Sequence, residues 1–368
     1  MNDMIRAERE KIISRKSTKI FFFMGLALIA AYFFFFQFGY SSVFYDYDAG
    51  EMGTASGFAA IGRRKEVAAM FQGELSQGTL ARMEQKIEDA KGATAGKDEN
   101  SVFSATHVYR DQAAILEYLT NPDGTLKPLQ EAYPNHESVI LGYCDGWDGI
   151  LSGMGSVLSI LICLFVVTAL SPVFAEEYSC HTDSVIYSAR FGKTKLVTAK
   201  VAASLETAIG AYAVLLLFHV ALYGATYGLQ GGNVSIQSSL HYASSTYDLT
   251  FCQAFGLTVA LNILGIIALA AITLFLSAKS NSPVSALILS CLVCFLPVVF
   301  DFTDSAPVLQ KIQEICPVFM LHVNGIFSRT ETYMGVRQPI VMFAFNLVLA
   351  VLFCALTKEV SRKHQVTG

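Results

Sequence analysis

Charged side chains are scarce in this sequence. Asp, Glu, Lys and Arg together supply 15% of its 368 residues, while 53% are hydrophobic. Soluble domains carry about a quarter charged residues, so the shortage excludes an ordinary water-soluble globule. A long basic tract is also missing, which excludes nucleic acid as a partner. No glycine-rich loop runs into Lys and Ser or Thr at the spacing that cradles phosphates. "GRRKE" at Gly62 has the wrong spacing, and "GKT" at Gly192 to Thr194 lacks the upstream glycine and strand. The chain is therefore expected to hydrolyse no nucleotide by itself and to carry no cofactor. Cys291 and Cys294 form a CxxC, but no second pair or nearby His completes a zinc set. Catalytic and metal-ligating residues are accordingly expected to be absent.

What remains is a series of apolar blocks, several near the roughly 20 residues that cross a bilayer. They fall at 20–38, 150–174, 197–227, 251–277, 284–300 and 339–356. No small-residue cleavage site follows the first block, so it reads as an uncleaved span rather than a signal peptide. Basic residues gather at 1–19 and at 357–368, in the 175–196 segment and its border with the next span, and once in the turn 278–283. The 228–250 loop holds none. By the positive-inside rule both termini face the cytoplasm. The resulting expectation is a multi-pass protein of a bacterial cell membrane.

Residues 41–149 contain 17 acidic against 9 basic side chains. Met70, Leu75, Leu80, Met83 and Ile87 recur at helical spacing there. The fold class expected is an all-α integral membrane protein of six transmembrane helices, with a mainly helical extracytoplasmic domain between the first and second. In the 301–338 outer loop, the apolar stretch at 317–327 is too short to cross and is bracketed by Pro317 and Gly325. It fits a re-entrant segment or an extracellular hairpin.

The polar stretch from Phe174 to Lys200 is the most distinctive feature. Glu176 and Glu177 open it, and Arg190, Lys193, Lys195 and Lys200 close it. From Glu177 to Ala189 there is neither Gly nor Pro, and Glu177, His181, Ser184 and Ser188 fall at helical spacing on one face. Gly192 then breaks the helix. An orienting loop accounts for the basic residues but not for the acid pair.

In this order of residues, the segment resembles the coupling element of type 2 ABC exporter permeases. There an acidic pair after the second span is followed by a short amphipathic helix and a glycine turn with basic residues. Two departures stand out: "YSCHTD" replaces the usual glycine and threonine, and "SVIYSARFGK" lacks the usual proline. The resemblance implies a permease subunit that docks a separate cytoplasmic ABC ATPase, in which ATP and Mg are expected. It implies a second permease copy or a related permease as the other half of the path. Glu176, Glu177, His181, Ser184, Arg190, Gly192 and Lys193 would then be the coupling residues.

Glu206, His219 and Asn262, polar positions inside apolar blocks, are candidates for a pathway. Two other readings stay open. Adjacent glutamates with separated histidines such as His219 and His322 also mark intramembrane metalloproteases of the prenyl-endopeptidase type, although the Arg of their "EExxxR" motif is absent. A membrane sensor of extracellular peptides is the third.

Overall fold

The computed structural model describes residues 1–39, 41–46, 51–94, 96, 106–299, 306–322, 324–328 and 332–364, and it is 75% helical. Its first residues are not a loose tail. They form α1 (Asn2–Ser14), which ends where Arg15 turns extended. From there α2 (Lys16–Tyr32) continues as a wider π turn through Phe38.

An insert follows. The hairpin of β1 (Ser41–Asp46) and β2 (Glu51–Ser56) pairs Ser41 with Ser56 and Asp46 with Glu51. Helices α3 (Gly57–Met70), α4 (Gln77–Ala93), α5 (Arg110–Leu119) and α6 (Leu129–Ala132) come next. The α4 N-terminus is capped by Ser76, whose hydroxyl accepts from Thr79 N at 3.2 Å. Leu80, Met83 and Ile87 of α4 pack against Ile115 and Leu119 of α5, as their helical spacing requires. A short antiparallel pair, β3 (Gly73–Glu74) with β4 (Ile140–Leu141), closes the insert.

Beyond it, α7 runs over Asp145–Ser179, with a π turn at Met154–Leu158. The short α8 (Asp183–Ser188) leads into α9 (Lys195–Thr226). A capping box of Thr250 and Gln253 starts α10 (Phe251–Lys279). Then come α11 (Pro283–Val299), three short helices, α12 (Pro307–Glu314), α13 (Pro317–Leu321) and α14 (Asn324–Ser328), a small hairpin, and α15 (Gln338–Lys363).

Among the described residues, five helices are long and apolar enough to cross a membrane: Lys16–Phe38, α7, α9, α10 and α15. This is a helical, multi-pass membrane protein. The fifth of the expected spans, α11, is apolar but only 17 residues long, so length alone identifies five crossings rather than six. Helices α7 and α10 form the centre, buried along most of their length, while α2 and α15 expose most of theirs.

Two close approaches define the packing. Along α7, Gly149 and Gly153 lie directly under the rings of Tyr223 and His219 from α9, and a methyl group at either glycine would overlap the ring above it. At the middle of α10, Gly265 receives α13: a Cβ there would stand 3.1 Å from the Pro317 carbonyl oxygen. Gly265 lies about 21 Å from either end of α10, at 1.5 Å per residue. The stretch beginning at Pro317 thus packs against the middle of α10. Its backbone polar groups need partners there, and polar side chains of the neighbouring helices supply them. Asn262 Nδ2 donates to the Met320 carbonyl at 3.1 Å, and Asn346 Nδ2 to that of Ile315 at 2.9 Å.

Candidate functional site

Helix α1, the α7–α9 connection and the end of α15 share one end of the bundle, called basal below. Here α7 closes with Pro172–Ser179, whose Phe174 and Ala175 amides donate to Ser277 Oγ of α10 at 3.0 and 3.2 Å. The chain then turns sharply. His181 takes a left-handed conformation, φ 54°, where non-glycine residues are uncommon. The expected continuous helix from Glu177 to Ala189 is therefore broken in two: Glu177 to Ser179 end α7, and Asp183–Ser188 forms a separate short helix. Glu177, His181, Ser184 and Ser188 share no helical face.

Glu177 itself faces inward, 5% exposed. Its Oε1 accepts from both Lys200 Nζ and Lys11 Nζ at 2.6 Å. Lys200 also donates to Glu8 Oε2 at 3.1 Å and lies 5.7 Å from the Phe174 ring centroid. Glu176, half-buried, pairs with Arg15 at 2.6 Å. The acid pair thus holds α1 and α9 to the end of α7 and does not point outward. A buried charge needs such partners because leaving it unpaired is costly.

What projects instead is the tip of the connection. His181, Ser184 and Arg190 are exposed, Val185 is 74% and Phe191 41% exposed. Gly192 is buried beneath the Ile186 carbonyl, where no side chain fits. Arg190 and Lys195 flank the Phe191 ring at 5.2 and 4.2 Å. Lys193 donates to the His364 carbonyl at 2.9 Å. The His364 ring stacks on Tyr178 at 4.1 Å and reaches Asp183 Oδ2 at 3.2 Å. The tip rests on α7, α9 and the end of α15.

The three pathway candidates do not meet. Glu206 pairs with Arg9 of α1 at 3.1 Å, both about half exposed. His219 is buried, its Nε2 3.2 Å from the Ile150 carbonyl. Asn262 ties α9 to α10 and α13, its amide oxygen accepting from Tyr212 Oη at 3.0 Å. Each joins packed helices.

A second charged cluster, at the opposite end, escaped the sequence reading. Arg64 Nη2 of α3 donates to Asp145 Oδ1 of α7 at 2.8 Å and to Asp111 Oδ2 of α5 at 3.3 Å. Burial alone would lower the Arg64 pKa. The Asp145 and Asp111 carboxylates outweigh it and hold the guanidinium above its ordinary value. His241 Nδ1 lies 3.0 Å from Asp148 Oδ2, and the hydrogen bond to that carboxylate and its charge raise the His241 pKa. The one local signal is "DGWDG", two acids three residues apart in the first turn of α7, a favourable place for negative charge at a helix N-terminus. Their partners lie 81 and 93 residues away.

No family model, curated protein or solved structure matches the chain.

Proposed function

We propose that the chain is the permease subunit of an ATP-driven exporter of the ABC type 2 kind, and that its basal tip docks a separate cytoplasmic ATPase. One observation carries this reading. The exposed tip from Cys180 to Phe191 joins the ends of α7 and α9, and Glu177 with Lys200 and Lys11 binds those ends into one unit. Force applied at the tip therefore reaches both helices.

The docking contacts shift relative to the sequence expectation. Glu176, Glu177 and Lys193 brace the tip from inside, and Val185, Arg190 and Phe191 with His181 and Ser184 form its outer face. Arg190 beside the exposed Phe191 ring supplies the two residue types, arginine and aromatic, that are enriched at protein interfaces.

In this reading α11 is the sixth crossing, its 17 residues near the lower bound of about 17 for a spanning helix. Both termini are cytoplasmic, and a second permease copy completes the path. ATP and Mg bind the partner. The geometry gives the metalloprotease alternative no support, since the Glu177 carboxylate is engaged by two lysines and His219 is held against Ile150.

The test is a search of the neighbouring reading frames for a P-loop ATPase, its co-expression with this chain, and purification of the complex. Val185→Asp and Arg190→Glu should each release the ATPase while the permease melts as before. An ATPase that never co-purifies with the unaltered permease overturns the reading.

A further inference from the structure

Where the insert meets the ends of α2, α7 and α9, the chain forms an open-mouthed cavity of about 270 Å3. One part of its wall is charged: Arg64, Arg110, Asp145, Asp148 and His241. Another is aromatic, with Phe38, Tyr223 and Tyr227. Most of the charges are engaged among themselves. Arg64 is shared by Asp111 and Asp145, and Asp148 accepts from Ser239 Oγ at 2.6 Å and meets His241.

Two buried polar atoms of this wall, Asp145 Oδ2 and Tyr223 Oη, have no hydrogen-bond partner, and Arg110 Nε, also without a hydrogen bond, lies 4.0 Å from Asp111 Oδ1. The Asp145 side chain is 8% exposed and Tyr223 1%. Buried polar atoms are nearly always paired, and each exception calls for an explanation. Here a carboxylate oxygen and a phenol want a donor, while a guanidinium N–H wants an acceptor. Asp145, Tyr223 and Arg110 all belong to the lining of one space.

We infer that this cavity binds a small zwitterion of amino-acid size, its ammonium on Asp145 and Tyr223 and its carboxylate on Arg110. The volume suits the assignment: at about 30 Å3 per water-sized group it holds roughly nine non-hydrogen atoms. The aromatic wall takes the ligand's apolar part and adds cation–π attraction for the ammonium. This assignment rests on the cavity alone and does not depend on the ATPase partner.

The protein supplies its own reporter. Its single tryptophan, Trp147, sits beside Asp148 in α7, with Nε1 donating to the Leu229 carbonyl at 3.0 Å. The full chain in lipid nanodiscs would be titrated with glycine, leucine and phenylalanine, read by calorimetry and Trp147 fluorescence. Isoamylamine and 4-methylpentanoate, which each keep one charge of leucine, are the controls. At least one amino acid should bind saturably, with the single-charge analogues at least about tenfold weaker. Tyr223→Phe removes only an unpartnered hydroxyl, so it should weaken binding several-fold without lowering the melting temperature. Absence of saturable binding by all three amino acids would mean that water alone fills the cavity, and would overturn the inference. Equal binding of isoamylamine and leucine would overturn it as well, as would unchanged affinity in Tyr223→Phe.

Discussion

Lys200 of α9 holds its ammonium 2.6 Å from the Glu177 carboxylate of α7, with 2% and 6% of the two side chains exposed. The pair is part of the bundle's interior. Removing one member leaves the other buried with a single remaining partner, Lys11 for Glu177 or Glu8 for Lys200, and breaking such a buried pair costs up to about 3–5 kcal/mol. Glu177→Gln and Lys200→Met should therefore each lower thermal stability in detergent markedly, and Glu177→Lys more so. The double variant Glu177→Gln, Lys200→Met should recover much of the loss. Single variants that melt like the parent would show that the pair carries no such weight.

Gly192 gives a sharper local test. A Cβ there overlaps the Ile186 carbonyl, which is backbone and has little freedom to yield. Gly192→Ala should open the Cys180–Phe191 tip, seen as faster limited proteolysis within it, while Ser184→Ala on the exposed side should leave the cleavage rate unchanged.

Asn346 and Asn262 hold α13 and the turn before it through the Ile315 and Met320 carbonyls. Interhelical hydrogen bonds of this kind contribute about 0.6–2 kcal/mol within membranes. Asn346→Leu should loosen α13 by that order, measured as faster maleimide labelling of Cys316, which lies next to Pro317.

His241 sets a pH dependence. Its pKa is raised by Asp148, so its contribution to stability is fully present below the unfolded-state value of about 6.5. That contribution is lost as pH rises through the higher folded-state value. Asp148 and Asp145 of α7, Arg110 and Asp111 of α5 and Arg64 of α3 surround this position. Unfolding measured from pH 5 to 9 should show a decline that His241→Gln abolishes.

Topology can be tested with better-placed thiols than hydropathy alone suggests. Ser235, in the 228–250 loop, is buried against Ile140, whereas Asn233 and Asn281 are exposed. A membrane-impermeant maleimide applied to whole cells should label Asn233→Cys and spare Asn281→Cys.

Helices lie where the apolar runs lie, because hydropathy is a local property and a bilayer demands it over a fixed length. Leu80, Met83 and Ile87 were legible for the same reason: one helical face carries them into one core. The fate of Glu177 was not legible. Its partners Lys11 and Lys200 stand 166 and 23 residues away, and no local pattern tells a paired carboxylate from a solvated one. The break at His181 was hidden too, since neither Gly nor Pro marks it. The Arg64, Asp111 and Asp145 cluster joins three elements that only the folded insert brings together.

The rings of Tyr223 and His219 sit over Gly149 and Gly153 like teeth in notches. A lengthwise shift of α9 by one residue would drive each ring into a neighbouring side chain, so ratcheting between α7 and α9 is forbidden at this end. The basal ends of the two helices are held as well, by the buried Glu177–Lys200 pair, so α7 and α9 are pinned to each other near both ends. A displacement at the basal tip would therefore tilt α7 and α9 as a pair rather than slide one along the other.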